Sequence, residues 1–343
     1  MSYAIKFFVY SISLVCSINS HATSILKQED DFHVAMVSPR GEQRLEVAFM
    51  DEFRILNKGR VRYTFIQPNV NNSAEMLGLP DKVRKLKPNL VFTFGTPTTL
   101  AIAGTTDNPI IDDIPIVFSP VSYPVRSGII SNKPNSKRLI TGTSHIAPAE
   151  VHFEMMMKFK KFKSIGVAFN KTEPQTKFML DDLHAMAKKF NVKLLTEEID
   201  LDGNGAPDPR SIPTKIKNLQ KKGAEWLYIG PDTFMGFTHR DLTTKSSIDV
   251  GIPSFTIGEH PIRYSYATFG VVSRLEELGK FTAFKAHQML MKNNSAFIGS
   301  DTMYKYDILI NKCALDALKI SPSKDIEHLA DYLTPENGGC KNL

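Results

Sequence analysis

The chain has 343 residues, 42% hydrophobic and 10% aromatic, enough for one large core or two of medium size, and length alone favours two domains. With 23% charged residues and no Gly/Ser, Gln or Pro tract, a disordered or fibrous chain is excluded. Lys and Arg outnumber Asp and Glu by 42 to 36, but the excess is scattered and short basic runs such as Lys158 to Lys163 read as solvated faces. No nucleic-acid motif accompanies them, so nucleic acid is not an expected partner.

Lys6 precedes an apolar run from Phe7 to Ile18, and Ser20-His21-Ala22 follows as a small-x-small site. This is the layout of an export signal over residues 1–22, cut after Ala22. The run is short for a bilayer span. Cys16 follows Val15 rather than the small residue that a lipoprotein signal takes. The expectation is a soluble, periplasmic, monomeric protein. Cleavage leaves Cys313 and Cys340, an even pair that in an oxidising compartment points to one disulfide and no metal framework.

From Asp31 onward, short apolar runs alternate with helical patterns. A strand at 32–37 ends at Ser38-Pro39-Arg40, and the next helix places Leu45, Ala48, Phe49 and Phe53 on one face. A strand at 61–66, a helix at 76–86 and a strand at 89–94 follow, the last ending at Gly95-Thr96-Pro97-Thr98. After one more helix, Ile114 to Phe118 closes the set. The second half repeats the plan: strand 164–169, helix 178–190, strand 192–199, helix 212–219, then a strand ending at Gly230-Pro231-Asp232-Thr233. Ile252-Pro253 answers Ile114-Pro115, and a strand (266–272), a long helix (275–291) and a strand (304–310) complete the chain.

Strands alternating with helices imply βαβ units and parallel sheets. The expected fold class is α/β: two similar Rossmann-like lobes with parallel sheets, joined by a multi-crossover hinge. Lobe I is expected at residues 23–141 plus 268–298. Lobe II takes 142–267 plus 299–343, including a C-terminal extension. The crossings then fall near Thr141–Thr143, Tyr266–Val271 and Phe297–Met303.

No phosphate loop, His-Glu-x-x-His or Gly-x-Ser-x-Gly is present, so no catalytic residue and no cofactor is expected. The run Asp200, Asp202, Asn204, Gly205 matches the start of a calcium loop, but its twelfth position is Ser211 instead of a bidentate Glu. A polar turn is the simpler reading. His145, His152 and His260 read as surface or hydrogen-bonded side chains, and Met155-Met156-Met157 as helix packing.

Open α/β sheets hold ligands beyond the carboxyl ends of their strands. There Thr96, Thr98, Thr176 and Thr233 lie near helix starts, where free N–H groups attract anions. Asp232 and Glu259 suit an ammonium or sugar hydroxyls, Arg40 suits a carboxylate, and Tyr123 and Phe234 suit stacking on a ring. Asp232 and Thr96 are expected outside the core, so their replacement should spare the fold.

Several segments occur together in order: Thr93-Phe94-Gly95-Thr96-Pro97, Ile114 to Phe118, Ile140 to Ser144, Phe169 to Thr176, Tyr228 to Thr233, Ile252-Pro253 and Leu278-Gly279-Lys280. In this the chain resembles the ABC-transporter substrate-binding proteins related to the tryptophan/tyrosine-binding group, from about Phe32 to Ile320. The resemblance implies a type I periplasmic-binding fold closing on ligand between its lobes. It places Thr96, Ser122, Gln175, Thr176 and Asp232 in the cleft, with the acid at position 232 meeting a ligand ammonium. The chain departs from the family at Tyr123, at Gln175-Thr176 and in the first loop, Ser38 to Gly41.

Together the expected ligand-binding set is Ser38, Arg40, Gly95, Thr96, Ser122, Tyr123, Glu173, Gln175, Thr176, Asp232, Thr233 and Glu259. The expected function is capture of a small solute, an amino acid or a related polar or aromatic molecule, for an ABC-transporter permease. A sensor partner of a membrane receptor is the alternative. An exported enzyme using Asp232 and Glu259 as acid and base is a third reading.

Overall fold

The computed structural model describes residues 32–131, 138–291, 301–303 and 305–343. The expected export signal and part of the third expected crossing, Phe297–Met303, lie outside these residues.

The first half alternates strands β1 (Phe32–Val37), β2 (Val61–Ile66), β3 (Leu90–Thr93), β4 (Ile116–Phe118) and β5 (Ile140–Ser144) with helices α1 (Arg44–Asn57), α2 (Ser73–Leu77), α3 (Leu79–Leu86) and α4 (Thr96–Ala103). The second half does the same with β6 (Ser164–Phe169), β7 (Lys193–Glu198), β8 (Leu227–Ile229), β9 (Ser254–Thr256) and β10 (Phe269–Val272). Its helices are α5 (Ala149–Phe159), α6 (Pro174–Phe190), α7 (Ile212–Lys221), α8 (Arg240–Asp249) and α9 (Glu259–Arg263). Then come α10 (Leu275–Met291), β11 (Asp301–Thr302), β12 (Asp307–Asn311), α11 (Lys312–Leu318), α12 (Lys324–Glu327) and β13 (Asp331–Leu333).

The strands form two sheets, ordered β2-β1-β3-β4-β5-β11 and β7-β6-β8-β9-β10-β12-β13. Five strands of each follow one order, with β6 standing for β1 and β10 for β5. The echo between Gly95-Thr96 and Gly230 to Thr233 is therefore one sign of a repeated sheet. Pairing is parallel throughout these sheets except between β10 and β12.

Strand pairing moves the expected lobe limits. All of β5 pairs within the first sheet, so the chain leaves that lobe after Ser144 rather than Thr141. Strand β10 pairs with β9 and β12 of the second sheet, so the return begins after Val272 rather than Ala267. Strand β11 pairs with β5, which places Asp301 and Thr302 in the first sheet rather than the second lobe. For β5 and β10 the physical reason is that a short buried run looks alike in either sheet, and β11, only Asp301-Thr302, is too short to carry a pattern.

Each lobe has its own core. Val34 and Met36 of β1 pack with Phe49 and Phe53 of α1 and with Leu278 and Ala286 of α10. Helix α10 can lie against α1 because residue 279 is glycine: a Cβ there would meet the Leu45 carbonyl oxygen at 2.3 Å. The other core centres on Trp226, stacked edge-on with Phe159 at 5.3 Å, with Phe255, Phe269 and Met156 around it. Cys313 at the start of α11 is bridged to Cys340 in the C-terminal tail, their Cα atoms 5.2 Å apart.

The helix expected at 76–86 is broken at Gly78 into α2 and α3. Helix α8 has no counterpart in the sequence reading, because its buried face is Thr243, Thr244, Ser246 and Ser247, with no apolar periodicity to betray it. In the Asp200 loop, the Asp202 carboxylate accepts N–H bonds from Asn204 and Ala206 at 2.8 and 2.9 Å. Asp200 pairs with Lys215, and Asp208 with Arg210. The loop's carboxylates are thus committed to a turn, and no group of three or more potential metal ligands occurs among the described residues.

Candidate functional site

In each sheet the strand order reverses between the first and third strands, β1/β3 and β6/β8, the point at which open α/β sheets form a crevice. A cleft of about 760 Å³, its open mouth included, lies where the loops after these strands face one another. Lobe I lines it with Arg40, Phe94, Gly95, Thr96, Pro120 and Ser122. Lobe II supplies Gln175, Asp232, Thr233, Phe237, Glu259 and His260, among others, and the crossings supply His145 and Ser273.

Eight of the twelve expected residues line this cleft: Arg40, Gly95, Thr96, Ser122, Gln175, Asp232, Thr233 and Glu259. Ser38, Tyr123, Glu173 and Thr176 do not line it. The Ser38 hydroxyl donates to Glu46 at 2.8 Å, fully buried. Tyr123 turns instead into a second cavity, which Tyr228 and Tyr306 also line, and its ring packs edge-on with Phe178, centroids 5.8 Å apart. Thr176 Oγ1 donates to the Asn170 and Glu173 carbonyls. Glu173 sits just behind the cleft wall, accepting N–H bonds from Thr233 at 2.9 Å and Phe234 at 2.8 Å. Phe234 is buried against His239, and Phe237, three residues on, reaches the cleft instead.

Asp232 is more committed than expected. Its Oδ2 accepts from the Asn170 N–H at 2.7 Å and its Oδ1 from the Met235 N–H at 2.9 Å. The side chain is buried, so it holds the β6–α6 loop to the turn after β8 while lining the cleft. The expectation that its loss would spare the fold is therefore corrected. Burial, then the neighbouring Glu173, raises the Asp232 carboxyl well above the usual carboxylate range, and burial raises Glu173 as well. Backbone N–H bonds oppose the rise in both without cancelling it. Among the described residues neither carboxylate has an ion pair with Lys or Arg. Gln175 donates to Glu173 through its amide nitrogen, and its buried carbonyl oxygen has no partner.

Arg40 is also not the open carboxylate receptor expected. Its Nε and Nη2 donate to the two oxygens of Glu46 at 3.0 and 2.9 Å, with both side chains essentially inaccessible. The guanidinium lies over the Phe94 ring, 4.0 Å from its centroid. Glu259 is buried too: one oxygen accepts the Leu275 N–H at 3.0 Å and the other pairs with Arg263. Helix α4 begins at the cleft with Gly95 at φ 80° and no side-chain cap.

Sequence reasoning missed Phe94, Pro120, His145, Phe237, His260 and Ser273. Strand-end position was a signal for Phe94, but the two histidines had none, since what brings them to the cleft is the meeting of lobes and crossings. His145 lies on the first crossing, its carbonyl accepting from Ser273 on the second at 2.9 Å. Burial lowers its pKa to about 4.

The family model described as ABC transporter substrate binding protein matches residues 57–333. The tyrosine-binding protein of Clostridioides difficile (strain R20291) is 25% identical over 234 residues, 68% of this chain. The chain spans 63% of the length of that relative. Among solved structures, a conserved domain protein from Vibrio cholerae superposes with a TM-score of 0.74 at 19% identity, covering 88% of this chain and 98% of its own. An ABC domain from Streptococcus pneumonia in complex with L-Trp gives 0.73 at 14% identity, covering 88% and 99%. The shared architecture is the two-lobed type I periplasmic-binding fold.

Proposed function

Because the chain belongs to the ABC transporter substrate-binding proteins, we propose that it captures an amino acid with an aromatic side chain between its lobes and presents it to a membrane permease. The observation that carries this reading is the buried, cation-free pair Glu173 and Asp232 beside the orphaned Gln175 carbonyl oxygen. Acceptors without a cation on one wall suit an ammonium, which would relieve the cost that burial imposes on the carboxylates. The opposite wall has the uncapped start of α4 for the ligand carboxylate. Phe94 and Phe237 add aromatic surface, and the similar proteins named above for tyrosine and tryptophan support that class.

Binding rather than catalysis is the role the family indicates. An acid–base pairing of Asp232 with Glu259 loses support, because Glu259 is buried with Arg263 on one oxygen and the Leu275 N–H on the other. Among the described residues no helix is long and apolar enough to cross a membrane, and export through residues 1–22 remains part of this proposal. The test is calorimetry with L-tyrosine, L-tryptophan and L-phenylalanine, alongside mass spectrometry of solute released on denaturation. A bound amino acid should also raise the stability of the fold by ~2.7 kcal/mol at a hundredfold excess over Kd. Release of a sugar or an anion with no amine, and no heat with any amino acid, rejects the reading.

A further inference from the structure

Inside the cleft the lobes touch through Arg40, from the loop after β1, and His260, on α9. Arg40 Nη1 lies 2.5 Å from His260 Nε2. Arg40 is held in place by Glu46 and by the Phe94 ring. His260 is held edge-on to Phe237 at 4.8 Å and beside Tyr264 at 5.2 Å. A guanidinium has donors only, so the imidazole nitrogen facing it must accept, and an imidazolium has no acceptor to offer. The contact therefore requires a neutral His260.

The charges around His260 reinforce this requirement. Arg44 of α1 and Arg240 of α8 face it along with Arg40. The nearby acids are engaged elsewhere: Glu46 by Arg40, Glu259 by Arg263, Asp241 by Arg240, and Glu336 of the C-terminal tail by Arg44 and Arg263. Tyr264 is neutral at ordinary pH, its pKa raised further by burial. Burial and then Arg40 push the His260 pKa down to about 2.

We infer that His260 is a positioning residue that couples closure of the cleft to release of a proton, through its hydrogen bond from Arg40. The inference rests on the proposed closure around a ligand. Parting the lobes removes Arg40 and readmits water, returning the imidazole toward its ordinary value near ~6.5. Protons then bind the open form and not the closed one. Ligand affinity is flat above that value and falls as pH drops through it, by up to ~10-fold per pH unit for one proton. An acidified surrounding thus favours release.

The experiment is titration calorimetry of L-tyrosine and L-tryptophan with wild type and His260→Gln, from pH ~8 to ~5. Glutamine offers Arg40 a carbonyl oxygen but takes up no proton in this range. Wild type should lose about 5-fold more affinity than the variant between pH ~6.5 and ~5.5, and close to 10-fold per unit only below that. The Glu173–Asp232 pair adds its own acid step to both proteins, so the difference between the curves belongs to His260. Superimposed curves overturn the inference. Should His260→Gln fold poorly, His260→Met, which removes the acceptor and the titration together, should bind more weakly and show the same flattened profile. Should neither amino acid bind, the ligand reading has failed. Small-angle scattering of ligand-free protein then still decides: the wild-type radius should grow as pH falls, while that of His260→Gln should not. Equal growth in both overturns it.

Discussion

The two lobes are built on one strand order and differ at the loops those strands deliver to the cleft. After β1, lobe I buries a cation with its own anion, Arg40 with Glu46, and covers the pair with Phe94. After β6 and β8, lobe II buries two carboxylates, Glu173 and Asp232, held by backbone N–H groups and one amide. A duplicated scaffold has thus been given a wall with a neutralised ion pair and a wall with two carboxyl groups that, among the described residues, no Lys or Arg pairs. The difference assigns the ammonium of the proposed ligand to lobe II, and makes Arg40 a strut rather than a receptor.

Breaking the neutral wall should have the largest effect. Arg40→Met leaves Glu46 buried and unpaired, which costs about 3–5 kcal/mol of stability, whereas Arg40→Met with Glu46→Met should recover most of it. Urea denaturation of the two variants measures both numbers. Equal destabilisation by the single and double changes would mean that Glu46 finds other partners.

On the acidic wall, Asp232→Ala should weaken amino-acid binding by about 2–5 kcal/mol, because the ligand ammonium loses its anion. The same change should cost the ligand-free fold about 1–3 kcal/mol, since the Asn170 and Met235 N–H groups lose their acceptor. Calorimetry and denaturation separate the two. Unchanged binding by a folded variant would detach Asp232 from the site.

The sign of the pH dependence sharpens the contrast. A carboxyl whose folded pKa is raised lends stability that is fully present below its unfolded value and is lost as pH rises through the folded value. For Glu173, whose ordinary value is 4.5, ligand-free wild type should lose stability relative to Glu173→Gln as pH climbs toward neutrality. A saturating amine ligand should diminish that loss. Thermal unfolding across pH, with and without L-tyrosine, checks it; a difference independent of pH argues against the raised pKa.

Thr96→Val should have the smallest effect, about 1 kcal/mol of binding, because the main-chain donors at the start of α4 remain. A loss as large as that of Asp232→Ala would move the ligand carboxylate onto the hydroxyl itself.

What was legible beforehand was local. The alternation of short apolar runs with amphipathic helices specified α/β lobes. The matched strand ends at Gly95-Thr96 and Gly230 to Thr233 supplied four of the expected residues that line the cleft, Gly95, Thr96, Asp232 and Thr233. Strand ends are readable because the chain must change direction there, and turn residues announce it.

The sequence by itself determined two repeated α/β units and the loops that would meet, and it offered an even pair of cysteines whose approach to 5.2 Å between Cα atoms only the structure shows. Only the tertiary structure decided which sheet each short strand joined, because nothing in the sequence of β5, β10 or β11 names its pairing partner. It also decided which charges were free. Ser38 and Arg40 went to Glu46 once α1 folded back on its loop, and Tyr123 turned to a different cavity. His260 reached Arg40 across 220 positions of sequence. A side chain's role follows from its partners, and partners so distant are chosen by packing of the lobes, which no local periodicity records.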